Sequence, residues 1–423
     1  MPATRFLPER TFDAVKGVPS YSDLNPRIGA AYDLFGTGRT ALKLSLGRYV
    51  KKFGTTISDQ NNPLTTSVNL TGRAWNDANR NYVPDCVLTN FAANGECGPI
   101  QNQNFGRTNP LANRWADDAL RGFGIREYNW DVTAEVEHEL RAGVSLSAGY
   151  YRNWYGNFLV IDNLAVTPDD FAPFCIAAPR DSRLPGGGGH QVCAFDMTPA
   201  KFGQVSNLVT QASHFGNPQR VNDYFNISLN TRLGSGIQLG GGFDTGRSVH
   251  DTCFGVDNPQ YDMMIGIVGT PVAMGRQYCR VVTPFEGQTQ VKLHGSYPLP
   301  WDILVSGAYQ DMSGPTIEAV YSAPTGEIAP VLGRNLAGGV RTATLQLVEP
   351  QTEFEARIRR LDLRVGKTVR LPRQGRLQLN LDAYNVTNRS SIRVINTNYG
   401  PRWQNVSLML DPRIFVMSAT VSY

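Results

Sequence analysis

Arg413-Ile414-Phe415-Val416-Met417-Ser418-Ala419-Thr420-Val421-Ser422-Tyr423 reads as one alternating strand. Phe415, Met417, Ala419, Val421 and Tyr423 fall on one face. Ser418, Thr420 and Ser422 fall on the other, with Val416 the one apolar exception. A strand that is apolar and aromatic outward, small and polar inward, suits the closing strand of an outer-membrane β-barrel, with Phe415 and Tyr423 as barrel-closing residues. There the outer face meets lipid and the inner face a wet lumen, so period-two alternation is required. A half-buried strand of a soluble sandwich has the same period, and this stretch alone leaves both readings open.

Working back along the chain, about eleven alternating segments appear, in pairs joined by tight turns. They are Pro26–Leu34 with Ala41–Lys52, Tyr128–Leu140 with Val144–Val160, Tyr224–Leu233 with Ile237–His250, Gln288–Tyr297 with Ile303–Gly314, and Ala356–Leu371 with Arg376–Asn388, then Arg413–Tyr423. Within pairs the links are Gly or Pro turns: Gly36-Thr37-Gly38, Arg141-Ala142-Gly143, Gly234-Ser235-Gly236, Pro298–Asp302 and Pro372-Arg373-Gln374-Gly375. Between pairs they are long, near 54–126, 161–222, 251–286, 315–354 and 389–412. Soluble domains seldom carry so many long irregular loops, whereas outer-membrane barrels have short periplasmic turns and long extracellular loops by construction. With the C-terminus at the periplasm, counting backward puts every tight turn on the periplasmic side and every cysteine-bearing loop outside. The fold class expected is therefore all-β: an antiparallel transmembrane barrel wall in the outer membrane of a Gram-negative bacterium, with lipid as its solvent. Eleven is an odd count where bacterial barrels usually have an even one, and a half barrel exposes two unpaired edges. Residues 1–423 are thus expected to be a partial barrel domain, the C-terminal part of a larger one.

Composition agrees. Only 18% of residues are charged, 10% are aromatic and 42 are Gly. A mean hydropathy of −0.28 and no long apolar run exclude a helical membrane protein, but not a barrel, in which alternation halves local hydropathy. The net charge of +4 is small and its basic residues are dispersed, so nucleic-acid binding is not indicated. Met1–Gly17 lacks the apolar core of a signal peptide. Six cysteines lie in turn-rich stretches as three local pairs, Cys86 with Cys97, Cys175 with Cys193 and Cys253 with Cys279. An even count on exposed loops favours disulfides and an oxidising compartment. Zinc is the rival reading, but no CxxC occurs and His190 beside Cys193 is isolated.

Individual strands carry charge inward. In Asp131–Leu140, Glu135 and Glu137 share a lumen-facing set, with Val132, Ala134 and Val136 opposite and His138 on the lipid side near the periplasmic rim. Around Leu361, Leu363 and Val365 the inward set is Arg360, Asp362 and Arg364. Charges of both signs facing inward require water or a plug within the lumen. Tyr150, Trp154, Tyr155, Trp301 and Tyr309 lie where strands would cross the membrane interface.

Several stretches resemble the C-terminal barrel of TonB-dependent outer-membrane receptors, in particular the Oar-like group that carries a carboxypeptidase-regulatory-like domain. They are Phe6-Leu7-Pro8-Glu9-Arg10, Asn25–Gly36, Gly38–Lys43, Asn94-Gly95-Glu96-Cys97-Gly98, Leu381-Asp382-Ala383-Tyr384-Asn385-Val386-Thr387-Asn388-Arg389 and the terminal Tyr423. The resemblance implies a 22-stranded barrel of which this chain is the C-terminal half, an internal plug, and opening when the inner-membrane TonB complex pulls an N-terminal box. It further implies an N-terminal barrel half and the outer-membrane assembly machinery as partners. The sequence holds neither plug nor TonB box, so the expectation is a fragment, or a split or misannotated gene product.

Two function classes follow: the barrel part of a transporter for active substrate uptake, or a surface adhesion or export-linked barrel whose loops bind partners. A passive porin is disfavoured by the unpaired strand count. One ligand candidate stands out. Asp77, Asn79, Asn81 and Asp85 offer oxygens at alternate positions, as calcium loops do. Against it, Arg80 stands where such loops often have Gly, and no bidentate Glu follows at the usual distance, although a Cys86–Cys97 bridge would bring Glu96 near. A polar turn stapled by a disulfide is the alternative. No other cofactor is expected. Gly186–Gly189 reads as a loop tip. Scattered histidines and serines assemble no catalytic residues, so no enzyme activity is assigned. The loop aromatics Phe171, Phe174, Phe195, Phe202, Phe254, Tyr261 and Tyr278 read by default as loop packing.

Overall fold

The computed structural model describes residues 1–423 except 235, 264–277 and 373–374, and Tyr261–Met263 by backbone alone. Its frame is one antiparallel sheet in which chain order equals spatial order. The strands are β1 (Arg27–Asp33), β2 (Thr40–Val50), β3 (Tyr128–Arg141), β4 (Val144–Gly156), β5 (Gln219–Arg232), β6 (Gln238–Asp251), β7 (Gln290–Leu299), β8 (Ile303–Met312), β9 (Ile358–Arg370), β10 (Arg376–Tyr384) and β11 (Ile414–Ser422). A short strand, Arg280–Thr283, also pairs with β6 above β7. The eleven expected segments are all present, each beside its chain neighbour. Two turns expected from sequence fall partly on positions 235 and 373–374, outside the described residues.

Most strand ends lie within two residues of expectation, and three differ by four or five for a local reason. β4 stops at Gly156 because Asn157 takes φ +55, and Leu159–Asn163 joins another sheet. β10 stops at Tyr384 because Asn385 and Asn388 take φ +46 and +50. Asn is among the few side chains that tolerate this left-handed region. β5 begins five residues earlier than alternation suggested, since Gln219–Asp223 continue the β5–β6 ladder. β11 is one residue shorter than expected at each end.

Register carries one face across the whole sheet, because directly opposed residues share a face. Starting from Glu135, the pairs run to Lys43 on β2 and Gly149 on β4. The same row continues through Asn226 on β5, Asp244 on β6 and Gln290 on β7. A parallel row links Ser296, Ser306, Arg364, Asp382 and Val416 on β7 to β11. One face is thus polar from β2 to β10. The other carries Ile28, Leu44, Val136, Ile227, Leu293, Val365, Leu381 and Met417, all exposed.

The buried core lies elsewhere. Among wall strands only Val144 is a buried hydrophobic residue. The largest core joins Phe174, Ile176, Val192, Ile328, Leu347 and Trp403, all in long connections. A sandwich would bury the apolar face of its sheet; this sheet leaves that face bare.

On the polar face, tyrosines lie flat over glycines. A Cβ on Gly246 would meet the Tyr224 ring at 2.1 Å and the Asp223 carbonyl at 2.8 Å; one on Gly149 would meet the Tyr151 hydroxyl at 2.7 Å. Tyr224 and Gly246 are directly opposed. Gly246→Ala is expected to lower stability by about 1–3 kcal/mol through overpacking. Adding Tyr224→Ser should restore most of it, measured as denaturant midpoints in detergent.

Candidate functional site

The polar face and the long connections at one end of the sheet form the candidate site. Salt bridges and hydrogen bonds tie the polar face into rows. Lys43 lies 2.5 Å from Glu137 and 3.6 Å from Glu135. Tyr151 donates to Glu135 at 3.0 Å. Ser147 and Ser228 meet at 2.6 Å, and Asn226 donates to Asp244 at 2.5 Å. Arg364 grips Asp382 directly opposite, one of its bonds at 3.1 Å. Arg360 bonds Asp362 at 2.8 Å, and that carboxylate also accepts from the Asn385 backbone at 2.8 Å. Glu135, Glu137, Arg360, Asp362 and Arg364 therefore share the face that sequence alternation gave them, largely neutralised by neighbours on the same face. A cleft of about 760 Å³ on this face is lined by Glu137, Ser145, Asn230, Gln238, His294 and Ser306, spanning six consecutive strands, β3 to β8. A single cleft touching six neighbouring strands requires the sheet to curl toward its polar side.

On the apolar side, Trp130 and Trp154 stack at 6.3 Å and Tyr150 packs Phe225 at 5.1 Å. Tyr150, Trp154 and Tyr309 lie on this side by register, Tyr150 at mid-strand and the other two toward the long-connection end. Tyr155 is on the polar side instead, beneath the Arg220 guanidinium at 4.5 Å. Trp301 is in a tight turn at φ +64. His138 meets the Thr40 hydroxyl at 2.8 Å near the tight-turn end.

The long connections are loop 1 (residues 51–127), loop 2 (157–218), loop 3 (252–289), loop 4 (313–357) and loop 5 (385–413). Sequence reading treats them as irregular; their described residues include short strands and helices. Irregular composition conceals this because the strands are short and their hairpins are covered by residues of other loops. The hairpin Phe171–Ala177/Gln191–Met197 of loop 2 is bridged by Cys175–Cys193. It packs on Val320–Pro324, Thr325–Leu332 and Thr342–Gln346 of loop 4 and Trp403 of loop 5. The Trp403 indole donates to the Glu318 carbonyl at 2.8 Å, and Arg183 covers its ring at 5.0 Å. His190, the zinc candidate, instead faces the Leu347 carbonyl at 2.9 Å. Cys86–Cys97 and Cys253–Cys279 are also bonded, and no described cysteine is free.

Asp77, Asn79, Asn81 and Asp85 do come together, as a hydrogen-bonded turn. Asp85 accepts from the Asn79 amide at 2.6 Å and the Asn81 amide at 3.0 Å. Asp77 accepts from the backbone of Asn81 and Tyr82 at 3.1 and 3.0 Å. Arg80 takes the left-handed conformation at φ +59 that glycine would take more cheaply. Glu96, brought across by the disulfide, accepts from the Trp75 indole at 3.2 Å and the Ala78 backbone at 2.9 Å. The Trp75 indole and these backbone donors hold its carboxyl below the usual carboxylate range. Among the described residues no group of three or more His, Cys, Asp or Glu is arranged to hold a metal ion.

Sequence reading missed the inter-loop polar contacts. Arg334 of loop 4 pairs with Asp196 of loop 2, and Tyr399 of loop 5 donates to Asp181 of loop 2 at 3.2 Å. No local motif announces them, since the partners are more than a hundred residues apart.

Compared by sequence, the chain matches no protein-family model and no curated protein. Compared by structure, it is similar to the outer-membrane transporter YddB of Escherichia coli, at 10% identity and TM-score 0.47, covering 92% of this chain and 39% of that one. It is also similar to the ferripyoverdine receptor of the Pseudomonas aeruginosa outer membrane, at 10% identity and TM-score 0.40, covering 94% and 32%. A third is the ferric-catecholate import receptor Fiu of E. coli, at 13% identity and TM-score 0.39, covering 93% and 34%. The chain spans 32–39% of the length of these structures.

Asp181 supplies a pH test. Arg183 hydrogen-bonds its carboxyl and lowers the pKa from 3.8 to about 2. A depressed carboxylate pKa contributes fully above 3.8 and is lost as pH falls toward about 2. Resistance of the loop 2 hairpin to proteolysis is therefore expected to hold steady from pH 7 to about pH 4 and to decline below. Asp181→Asn should remove the pH-dependent part of that decline.

Proposed function

We propose that this chain is part of the barrel wall of an outer-membrane receptor for active substrate uptake, with lipid against its apolar face and the polar face lining the lumen. The observation that carries this is the bare apolar face. A single sheet with its hydrophobic side exposed and its polar side curled inward is unstable in water and suited to a bilayer. Every described tight turn is at one end and every folded loop at the other, which matches short periplasmic turns and long external ones.

The strand count bears on how the wall is completed. β1 and β11 both run from the long-loop end toward the tight-turn end, because the strands are antiparallel and odd in number. Pairing β11 with β1, within one copy or between two, would be parallel. An all-antiparallel barrel needs an odd set of further strands whose first and last run the other way, which is the contribution expected of an N-terminal barrel half. A plug and a TonB complex acting through it belong to the same reading, as does an Oar-like affiliation. The folded loops suit capture of a substrate outside the cell, and equally the alternative of adhesion to a partner.

The turn at Asp77–Asp85 is read here as a brace for loop 1. Its carboxylates already satisfy the amides around them, so millimolar calcium is expected to leave the thermal midpoint of the chain unchanged. A rise abolished by Asp85→Asn would make it a calcium seat instead.

Two measurements test the wall. Leu379→Arg, on the apolar side near mid-strand, should cost about 2–4 kcal/mol in bilayer-refolding equilibria, whereas Gln378→Arg on the polar side should cost far less. The chain alone should show no heat-modifiable band on unboiled gels, and the product that includes the remaining strands should show one. Folding of the isolated chain as a detergent-free soluble monomer would overturn the membrane reading.

A further inference from the structure

Loop 2 belongs to two packed bodies at once. Its base strands Leu159–Asn163 and Asn207–Gln211 pair with each other and, through Asn207–Gln211, with Arg114–Trp115 of loop 1. Ala119 of loop 1 packs with Leu159 and Val209 in one small core. Polar contacts reinforce it: Thr210 donates to Asp118 at 3.0 Å, and the Gln211 amide donates to the carbonyls of Asp118 and Ile125 at 3.1 and 3.0 Å. Its tip, the disulfide-bridged hairpin, is built into the core shared with loops 4 and 5. Val160 and Val209 in the base and Leu347 and Ile328 in the distal core are all essentially inaccessible to solvent.

The two links between base and tip, residues 164–170 and 198–206, are themselves clamped. Thr198 donates its backbone N–H to the Asp170 carbonyl at 2.7 Å, Lys201 reaches the Ala165 carbonyl at 3.2 Å, and Leu164 donates to the Ser206 carbonyl at 3.0 Å. Phe202 in the second link lies over Gly338 of loop 4, where an added Cβ would come within 2.0 Å of the ring. Neither link is therefore a free hinge.

We propose that loops 1, 2, 4 and 5 open and close as one cooperative lid, with loop 2 as the element that couples its two halves. Packed cores are bistable rather than continuously deformable, so displacing loop 5 must either carry loop 2 along or break the core around Trp403. Carrying loop 2 pulls on the strand at Asn207–Gln211 and hence on loop 1. This goes beyond the uptake reading and holds whether the loops capture a substrate or a partner.

The test is hydrogen exchange of the full chain in detergent. Ile328→Ala perturbs a loop 4 residue outside the loop 1–loop 2 core. It is expected to speed exchange at least tenfold in Val320–Gln346, and also in Asn207–Gln211 and at Trp115, while β5 and β6 stay protected. Exchange that rises in loop 4 and the hairpin but stops before residue 207 overturns the proposal. Should Ile328→Ala fail to fold, Arg334→Ala, which removes the contacts with Asp196 and the Met197 carbonyl and leaves the apolar core intact, serves the same comparison with a smaller increase. A membrane misreading would show instead as loss of protection in the wall strands of the unmodified chain.

Discussion

One ladder of backbone hydrogen bonds, eleven strands wide and shifted in register only beside the β3–β4 turn, is the constraint on which the rest depends. The side-chain period is two, so a slip of one residue at any pair would turn every later strand inside out. The rows that run from Lys43 through Glu135 to Gln290, and from Ser296 to Val416, show that no such slip occurs. Gly-rich stretches, where register is weakly specified by side chains, are pinned by the flattened tyrosines beside them, Tyr224 over Gly246 and Tyr151 over Gly149. The ladder thus fixes which residues meet the apolar surroundings and which line the polar side, and the proposed role rests on that division.

The wall was legible in the sequence because its determinants are local. Alternation in Arg376–Tyr384 or Tyr128–Arg141 needs no distant partner to be seen, and a tight turn such as Arg141-Ala142-Gly143 declares the pairing of its neighbours. Boundaries failed where a single backbone conformation decided them, as at Asn157 and Asn385. The external layer was not legible. Val209 packs with Ala119 of loop 1, and Trp403 with residues of loops 2 and 4, and nothing near either in sequence says so. His190 beside Cys193 was the isolated residue of a disfavoured zinc reading, and its partner is the carbonyl of Leu347.

The two kinds of hydrophobic surface in this molecule answer to different solvents. In the wall, large apolar side chains on one face are left largely exposed, touching at most their neighbours on the same face. In the loops they are gathered into compact cores of the kind found in small water-soluble domains. Such cores need no bilayer, which lets the external layer hold a fixed shape beyond the membrane. The disulfides are placed accordingly, one within each of loops 1 and 2 and one within loop 3, all outside the wall strands.

The distal core also sets a clock for biogenesis. Trp403 is donated by loop 5, and its carbonyl accepts from Arg183 across a separation of 220 residues. During synthesis and translocation, Phe174, Ile176 and Val192 emerge long before the indole that covers them. Contacts of such high order close late, and surface waiting for them is open to wrong association in the meantime. The early Cys175–Cys193 bridge, spanning 18 residues, can hold the hairpin in shape through that interval. The hairpin's apolar side is thus uncovered from the arrival of loop 2 until that of loop 5.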